Sequence, residues 1–172
     1  QSTKGRQGLF RANERNVSMR TALILIILAV GLSACHSDTL FEEKINLPVV
    51  GWSVADSVKY QVAIEDTTQN YDMVLRVDAL DSYRYQNLYV MINTLFPDGK
   101  LEKDVVSLEV STPGGEWHGK CSADHCAVPI LIQENFRFPK KGNYTITVAQ
   151  HSRLDTIKGI EALQLSIAKV EN

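Results

Sequence analysis

The sequence lacks the short motifs by which many enzymes are recognised. Its 172 residues contain no Gly-x-Ser-x-Gly segment, no His-Glu-x-x-His segment and no glycine-rich phosphate loop. Only four histidines occur, and His151, which ends an alternating stretch, is typical of a surface position. We therefore predict that the protein is not an enzyme, that it has no catalytic residues, and that it needs no metal or other cofactor.

An excess of positive charge is also missing. Five of the 18 Lys and Arg residues and one of the 20 Asp and Glu residues lie within residues 1–34. Residues 35–172 consequently hold 13 basic and 19 acidic side chains, a net charge of −6. Such a domain repels phosphates, and no basic stripe with interleaved aromatic residues is present, so nucleic acid is not an expected partner.

The apolar run near the start of the chain is too short for a comfortable transmembrane helix. Residues 21–34 carry no charge, follow Met19 and Arg20, and have their apolar centre at residues 22–30. A transmembrane helix needs about 20 apolar residues, whereas a basic residue before a run of this length is typical of a signal peptide. We predict a lipoprotein signal peptide over residues 19–34 and an upstream extension over residues 1–18 that is not part of the mature protein.

The segment Leu32-Ser33-Ala34-Cys35 matches the bacterial lipobox, an aliphatic residue and two small ones before a cysteine. Small side chains give the peptidase access to the backbone, and the thiol accepts a diacylglyceryl group. Two or three acyl chains, palmitate among them, anchor a protein stably where a single chain does not. We predict lipidation of Cys35, a tether over residues 35–46, and attachment to a membrane, the outer membrane on its periplasmic face or at the cell surface.

Only two further cysteines are present, Cys121 and Cys126, and they share one segment with His118 and His125. Four such ligands could bind zinc, but a structural zinc site usually has two separate paired knuckles. Outside the cytoplasm the two thiols could instead close a small disulfide loop, which is consistent with a lipid on Cys35. Two free thiols are the third alternative.

Apolar and polar residues alternate from residue 47 onward, and no convincing amphipathic helix occurs. The alternation predicts seven or eight strands of about five to ten residues. Residues 87–96 are apolar on both faces, which predicts a central strand, and residues 81–86 could form one helical turn. The clearest strands cover residues 58–64, 71–77, 87–96, 106–110, 128–138, 144–149 and 163–167.

Short strands separated by turn signals predict an all-β fold. We expect one antiparallel β-sandwich over residues 47–172, either immunoglobulin-like or jelly-roll. The turn at residues 139–143 followed by Tyr144 resembles the turn and tyrosine that open a late strand in many sandwiches.

Several aromatic residues could form a surface that contacts a glycan or a partner protein. Packing in the core would explain the same residues. The candidates are Trp52, Trp117, Tyr83, Tyr85 and Tyr89.

A series of short segments, in this order and spacing, is similar to a known family. The segments are Asn87-Leu88-Tyr89-Val90, Phe96-Pro97-Asp98-Gly99-Lys100, Asp104, Gly115-Glu116-Trp117-His118-Gly119-Lys120, Phe136-Arg137-Phe138-Pro139-Lys140-Lys141-Gly142-Asn143-Tyr144, Gln150 and Ile157-Lys158-Gly159-Ile160. Together with the lipobox they resemble the gliding-motility-associated lipoprotein GldH family. The resemblance implies a lipid-anchored accessory protein of the bacterial gliding-motility machinery, linked to protein secretion, without enzymatic activity.

We accordingly expect a membrane-anchored envelope protein that acts by protein–protein interaction. Its partners would be other envelope or motility proteins. A glycan-binding β-sandwich lipoprotein is the alternative.

Overall fold

The computed structural model describes residues 39–170, which form eleven β-strands. None of these residues belongs to a helix long and apolar enough to cross a membrane. The strands are β1 (Thr39–Asn46), β2 (Trp52–Ser53), β3 (Ser57–Ile64), β4 (Tyr71–Leu80), β5 (Asn87–Leu95), β6 (Leu101–Glu109), β7 (Lys120–Ser122), β8 (His125–Phe136), β9 (Gly142–Gln150), β10 (Thr156–Ile157) and β11 (Ile160–Lys169).

The eight long strands pair as the two arms of one long hairpin that has been rolled up. From the ends of the hairpin to its tip, β1 pairs with β11, β3 with β9, β4 with β8, and β5 with β6. Rolling also brings β11 against β4 and β9 against β5. Two antiparallel sheets result, with the orders β1-β11-β4-β8-β7 and β3-β9-β5-β6. The predicted antiparallel sandwich is confirmed, and the nested pairing is that of a jelly roll rather than of an immunoglobulin domain.

The core lies between the two sheets and follows from the alternation in the sequence. Successive side chains of a strand point to opposite faces, so every second residue of β3 and β4 is buried. Full burial of a Val, Leu, Ile or Phe side chain stabilises a fold by roughly 1.5–3 kcal/mol. The buried residues of these two strands are Val58, Tyr60, Val62, Ile64, Tyr71, Met73, Leu75, Val77 and Ala79.

Strand β5 occupies the central position that its sequence predicts. It pairs with β6 on one side and with β9 on the other. Leu88 and Val90 face the core, while Tyr89 and Leu95 lie on the outer face and are about half exposed. The apolar character of that outer face is therefore not explained by packing within the described residues.

The turn before β9 is closed by a tyrosine, as its sequence suggests. The Tyr144 hydroxyl donates to the Lys140 carbonyl at 2.8 Å and accepts from the Lys140 N–H at 3.2 Å. Its ring packs against Phe138 at 4.9 Å and Phe96 at 5.2 Å between centroids. Both polar groups of the turn residue are thus satisfied while the ring contributes to the core.

The structure differs from the sequence-based prediction in two segments. The sequence predicts a tether over residues 35–46, but residues 39–46 form β1, which is hydrogen-bonded to β11. The successive charges at residues 42–44 and a register shift between Thr39 and Phe41 hide the alternation of this strand. Residues 81–86 form a turn followed by an irregular segment instead of a helical turn. The predicted signal peptide, the upstream extension and Cys35 lie outside the described residues.

Candidate functional site

The outer face of the five-stranded sheet carries a depression of about 660 Å³, here called the charged groove. Its floor is low because Asp78 has a small neighbour on each adjacent strand, Ala162 on β11 and Ala127 on β8. The loop at residues 47–51 and the β7–β8 hairpin border it. Its charged and titratable lining consists of Lys44, Arg76, Asp78, Lys120, His125 and Glu161.

One ion-pair cluster crosses the floor of the groove. Arg76 and Asp78 share a face of β4 because they are two residues apart. The Arg76 guanidinium donates to Asp78 through Nε at 2.8 Å and through a terminal nitrogen at 3.0 Å. Lys44, from β1, lies 2.6 Å from Asp78 Oδ2. One carboxylate thus joins two cations from two different strands, β4 and β1.

The cluster keeps Asp78 ionised. Burial by itself would raise the pKa of this carboxyl, but hydrogen bonds from Arg76 and then from Lys44 outweigh it and hold the pKa below its usual range. The hydrogen bond to Asp78 likewise raises the pKa of Arg76. Asp78 and Arg76 are therefore both charged at neutral pH.

A β-bulge supplies the second polar cluster. Ile160 pairs with Ala79 and Ala162 pairs with Asp78, so Glu161 is an extra residue in β11. A bulge re-aims the side chain of its extra residue, and here Glu161 Oε2 lies 2.7 Å from His125 Nδ1. His125 Nε2 is 3.2 Å from Asp124 Oδ1. The pKa of His125 is raised, mainly by the hydrogen bond with Glu161 and to a smaller extent by the nearby carboxylate charges.

The side chains that line the groove carry charges of both signs. Lys44, Arg76 and Lys120 carry three permanent positive charges, while Asp78 and Glu161 carry two negative ones. Any protonation of His125 adds to this excess. The carboxylate of Asp124, which lies 3.2 Å from His125 Nε2, offsets this excess at the edge of the groove.

An exposed apolar loop stands beside the groove. Val49 and Val50 are almost fully exposed, and Val49 also lines the groove. Gly51 ends this loop at a φ of 122°, where an added Cβ would lie 2.6 Å from Thr156 Cγ2. The loop is thus held tightly at its base while its tip presents apolar side chains to solvent.

The two downstream cysteines face each other across the β7–β8 hairpin. Cys121 pairs with Cys126 in the strand register, their Cα atoms are 4.0 Å apart, and their sulfurs are within bonding distance. His125 is engaged by Glu161, and within residues 39–170 no group of three or more His, Cys, Asp or Glu side chains is placed to hold a metal ion. The arrangement suits a disulfide, whose presence in the envelope stays a prediction.

The aromatic candidates do not form one surface. Trp52 is fully buried and its indole nitrogen donates to the Asp56 carbonyl at 3.2 Å, so for this residue core packing is the alternative that the structure supports. Trp117 is partly buried against the core. Tyr83 is buried and packs edge-on against the half-exposed Tyr85, with 5.5 Å between ring centroids. Of these four, only Tyr85 presents a large accessible ring.

The sequence alone does not predict the charged groove. The spacing of Arg76 and Asp78 in a predicted strand places them on one face. It gives no indication of their partners, because Lys44 lies in a strand whose sequence is typical of a polar linker, and Glu161 reaches the site through a bulge.

The fold defines the class of this protein as a single jelly-roll domain, and the segment Leu32-Ser33-Ala34-Cys35, which matches the lipobox pattern, precedes that domain in the sequence. The GldH lipoprotein family matches residues 39–167, which is most of the chain, and the chain belongs to that family. It is 27% identical over 150 residues to a protein of Christiangramia forsetii named gliding motility lipoprotein GldH homolog, covering 85% of this chain and 91% of that protein. It is 24% identical over 142 residues to the gliding motility lipoprotein GldH of Flavobacterium johnsoniae, covering 82% and 87% respectively.

Proposed function

We propose that this chain is a lipid-anchored protein of the outer membrane, exposed to the periplasm or at the cell surface, and an accessory component of a gliding-motility machinery linked to protein secretion. It acts by binding other envelope proteins. Cys35 carries the lipid. The proposal assigns no catalytic step to the chain.

One observation carries this proposal. The family match begins at residue 39, the first residue of β1, and ends at residue 167 within β11, so it covers the jelly roll from its first strand to its last. A match confined to a few strands could reflect the fold alone. The lipobox ending at Cys35 lies just before the matched region and agrees with the word lipoprotein in the family description.

The groove and the apolar loop support a protein partner. Val49 and Val50 offer apolar area to bury, while Lys44, Arg76 and Lys120 offer positive charge beside it. Protein interfaces combine an apolar centre with a polar rim in this way. The alternative of a glycan ligand loses support because Trp52 is in the core.

The anchor is tested in the source bacterium with its own copy of the gene deleted. Cells producing the unchanged chain are compared with cells producing Cys35→Ser, and cells producing Cys121→Ser serve as a matched control. We expect unchanged protein and the control in the membrane fraction and Cys35→Ser in the soluble fraction. Recovery of Cys35→Ser with the membranes would refute lipidation of Cys35.

The motility role is tested in the same strains by cell movement on a surface and by the profile of secreted proteins. We expect the deletion to abolish or slow movement and the unchanged chain to restore it. Full movement and an unaltered secreted profile in the deletion strain would refute the proposed role.

The partner surface is tested with a charge variant and a loop variant. Lys120→Glu reverses a groove charge that forms no ion pair with any of residues 39–170, and Val49→Ser with Val50→Ser removes the exposed apolar tip. Lys59→Glu, an exposed position on the other sheet, is the matched control. Chemical cross-linking in whole cells should lose the same envelope partner in both variants and retain it in the control.

A further inference from the structure

Strand β6 leaves one long edge of the four-stranded sheet open. Among the described strands it pairs only with β5. The ladder runs without a register shift from the Asn87–Glu109 pair to the Leu95–Leu101 pair, and β6 contains no proline. A regular strand edge of nine residues is a ready template for another strand.

The other sheet edges are less suited to strand addition. Strand β1 has a register shift between Thr39 and Phe41. Strand β3 carries the exposed Lys59 near its middle. Strand β7 has only three residues, and beyond it β8 contains Pro129 and two register shifts. Bulges, charges and short length are the usual means of blocking strand addition, and the half of β6 at residues 105–109 has only one charge, Glu109.

The direction of the free hydrogen-bonding groups on β6 can be read from its two ends. Phe96 N–H donates to the Lys100 carbonyl before the strand, and Val110 N–H donates to the Gln86 carbonyl after it. Residues of one parity in an antiparallel pair all bond to the same neighbour. Even-numbered residues of β6 therefore bond to β5, and the odd-numbered ones, from Leu101 to Glu109, direct their N–H and C=O groups to the open edge.

We propose that β6 is a self-association edge, on which a second copy of this chain adds its own β6 in antiparallel orientation about a two-fold axis at Val106. This proposal is separate from the motility role. In this register Lys103 lies opposite Glu109 of the second copy, and the symmetry makes that contact twice. Val105 lies opposite Ser107 of the second copy, and these odd-numbered residues exchange backbone hydrogen bonds. An eight-stranded sheet results.

Charge selects this register over its neighbours. Directly opposite charges of unlike sign are favourable in antiparallel pairs, and like charges are unfavourable. An axis at Asp104 would place two Asp104 carboxylates opposite each other. An axis at Val105 would place Lys103 opposite Ser107 and Glu109 opposite Leu101. Of these three axes, only the one at Val106 places each charged side chain of the outer face, Lys103 and Glu109, opposite a charge of unlike sign.

Apolar surface favours the same contact. On the outer face Val105 pairs with Met91 of β5 and is 57% exposed, and Ser107 pairs with the half-exposed Tyr89. In the proposed dimer Met91 and Val105 lie side by side with Ser107 and Tyr89 of the second copy. These four side chains form one row across four strands, which reduces the exposure of Val105 and Tyr89.

The first test is a charge exchange, measured by sedimentation equilibrium of the full lipidated protein in detergent. Lys103→Glu or Glu109→Lys places like charges opposite each other twice, and we expect either change to weaken the dimer by about tenfold or more. The double variant restores unlike pairs and should restore the dimer. Lys59→Glu, on the opposite edge strand, is the control. A monomeric unchanged protein, or a double variant as weak as the single ones, would overturn the proposal.

The second test fixes the register by oxidative cross-linking in whole cells. Val106 faces itself across the axis in a pair without backbone hydrogen bonds, where Cα atoms are about 4.5 Å apart and a disulfide can form. Asp104 lies about 13 Å from Asp104 of the second copy. Val106→Cys should therefore give a covalent dimer and Asp104→Cys should not. Equal linkage of both variants, or a Val106→Cys adduct with a different protein, would contradict the proposed contact.

Discussion

The hydroxyl of Tyr60, on the four-stranded sheet, donates a hydrogen bond of 2.9 Å to the backbone carbonyl of Leu163, on the five-stranded sheet. Both residues are fully buried. The bond therefore joins the two layers of the jelly roll through the apolar core, and burial raises the pKa of Tyr60 well above its usual value.

Removing this hydroxyl should cost about 1 kcal/mol of unfolding free energy. The net contribution of a buried hydrogen bond is about that amount, and Tyr60→Phe removes the donor to the Leu163 carbonyl. Urea denaturation followed by fluorescence measures the change. Tyr89→Phe, at a half-exposed position on the outer face, is the matched control and should be neutral. Equal stability of Tyr60→Phe and the unchanged protein would show that the bond contributes nothing.

Gly119 should not tolerate a side chain. A Cβ added at this position would overlap the Ala127 carbonyl oxygen and lie 2.8 Å from Val128 Cα. Because those atoms are backbone of β8, Gly119→Ala must displace the strand, and we expect a loss of about 3 kcal/mol. Gly114→Ala is the control, since its Cβ would meet only Thr112 Oγ1 at 3.6 Å. Thermal unfolding of the two variants should separate them clearly.

The His125–Glu161 pair should make stability depend on pH. The raised pKa of His125 means that the folded protein binds the proton more tightly than the unfolded chain does. The stabilisation is therefore complete below the unfolded value of about 6.5 and is lost as pH rises through the higher folded pKa. Titration of the His125 imidazole by NMR should give a midpoint above 6.5, and Glu161→Gln should lower it. No change in the midpoint of Glu161→Gln would contradict the assigned cause.

The Cys121–Cys126 bond should survive purification without reductant. Digestion under non-reducing conditions should yield one linked peptide carrying both residues. Because the loop closed by a sequence separation of five is short, the chain-entropy gain is only about 2 kcal/mol. Recovery of both cysteines as free thiols would refute the predicted disulfide. If the thiols are free, serine at either position should leave the unfolding transition unchanged.

The fold follows from sequence wherever one face of a strand is buried. Strands β3 and β4 alternate strictly, as do β9 from Tyr144 and β11 from Leu163, because one face of each is buried in the core and the other is more exposed to solvent. Strand β1 does not, because it lies at an edge where Glu42, Glu43 and Lys44 can reach water. Period alone cannot distinguish such an edge strand from a polar linker.

The choice of a jelly roll over an immunoglobulin-like sandwich could not be made from alternation. Topology depends on which strands pair, and β1 with β11 are separated by more than a hundred residues. The groove depends on the same long-range register, since it is β1–β11–β4 pairing that brings Lys44 to Asp78. A bulge such as that at Glu161 breaks the period locally and leaves no pattern to read.

The pairing of the first strand with the last has a consequence for how the chain is made. An emerging polypeptide presents β1 long before β11, and β3 long before β9, so none of the outer pairs can close early. Among the nested pairs of long strands, only β5 with β6 is local in sequence. Folding of such a high-contact-order domain is slow, and the five-stranded sheet cannot be completed until residues 160–169 are released. A chain threaded through a narrow translocation pore benefits from this delay, because it reaches the far side before its structure can obstruct passage.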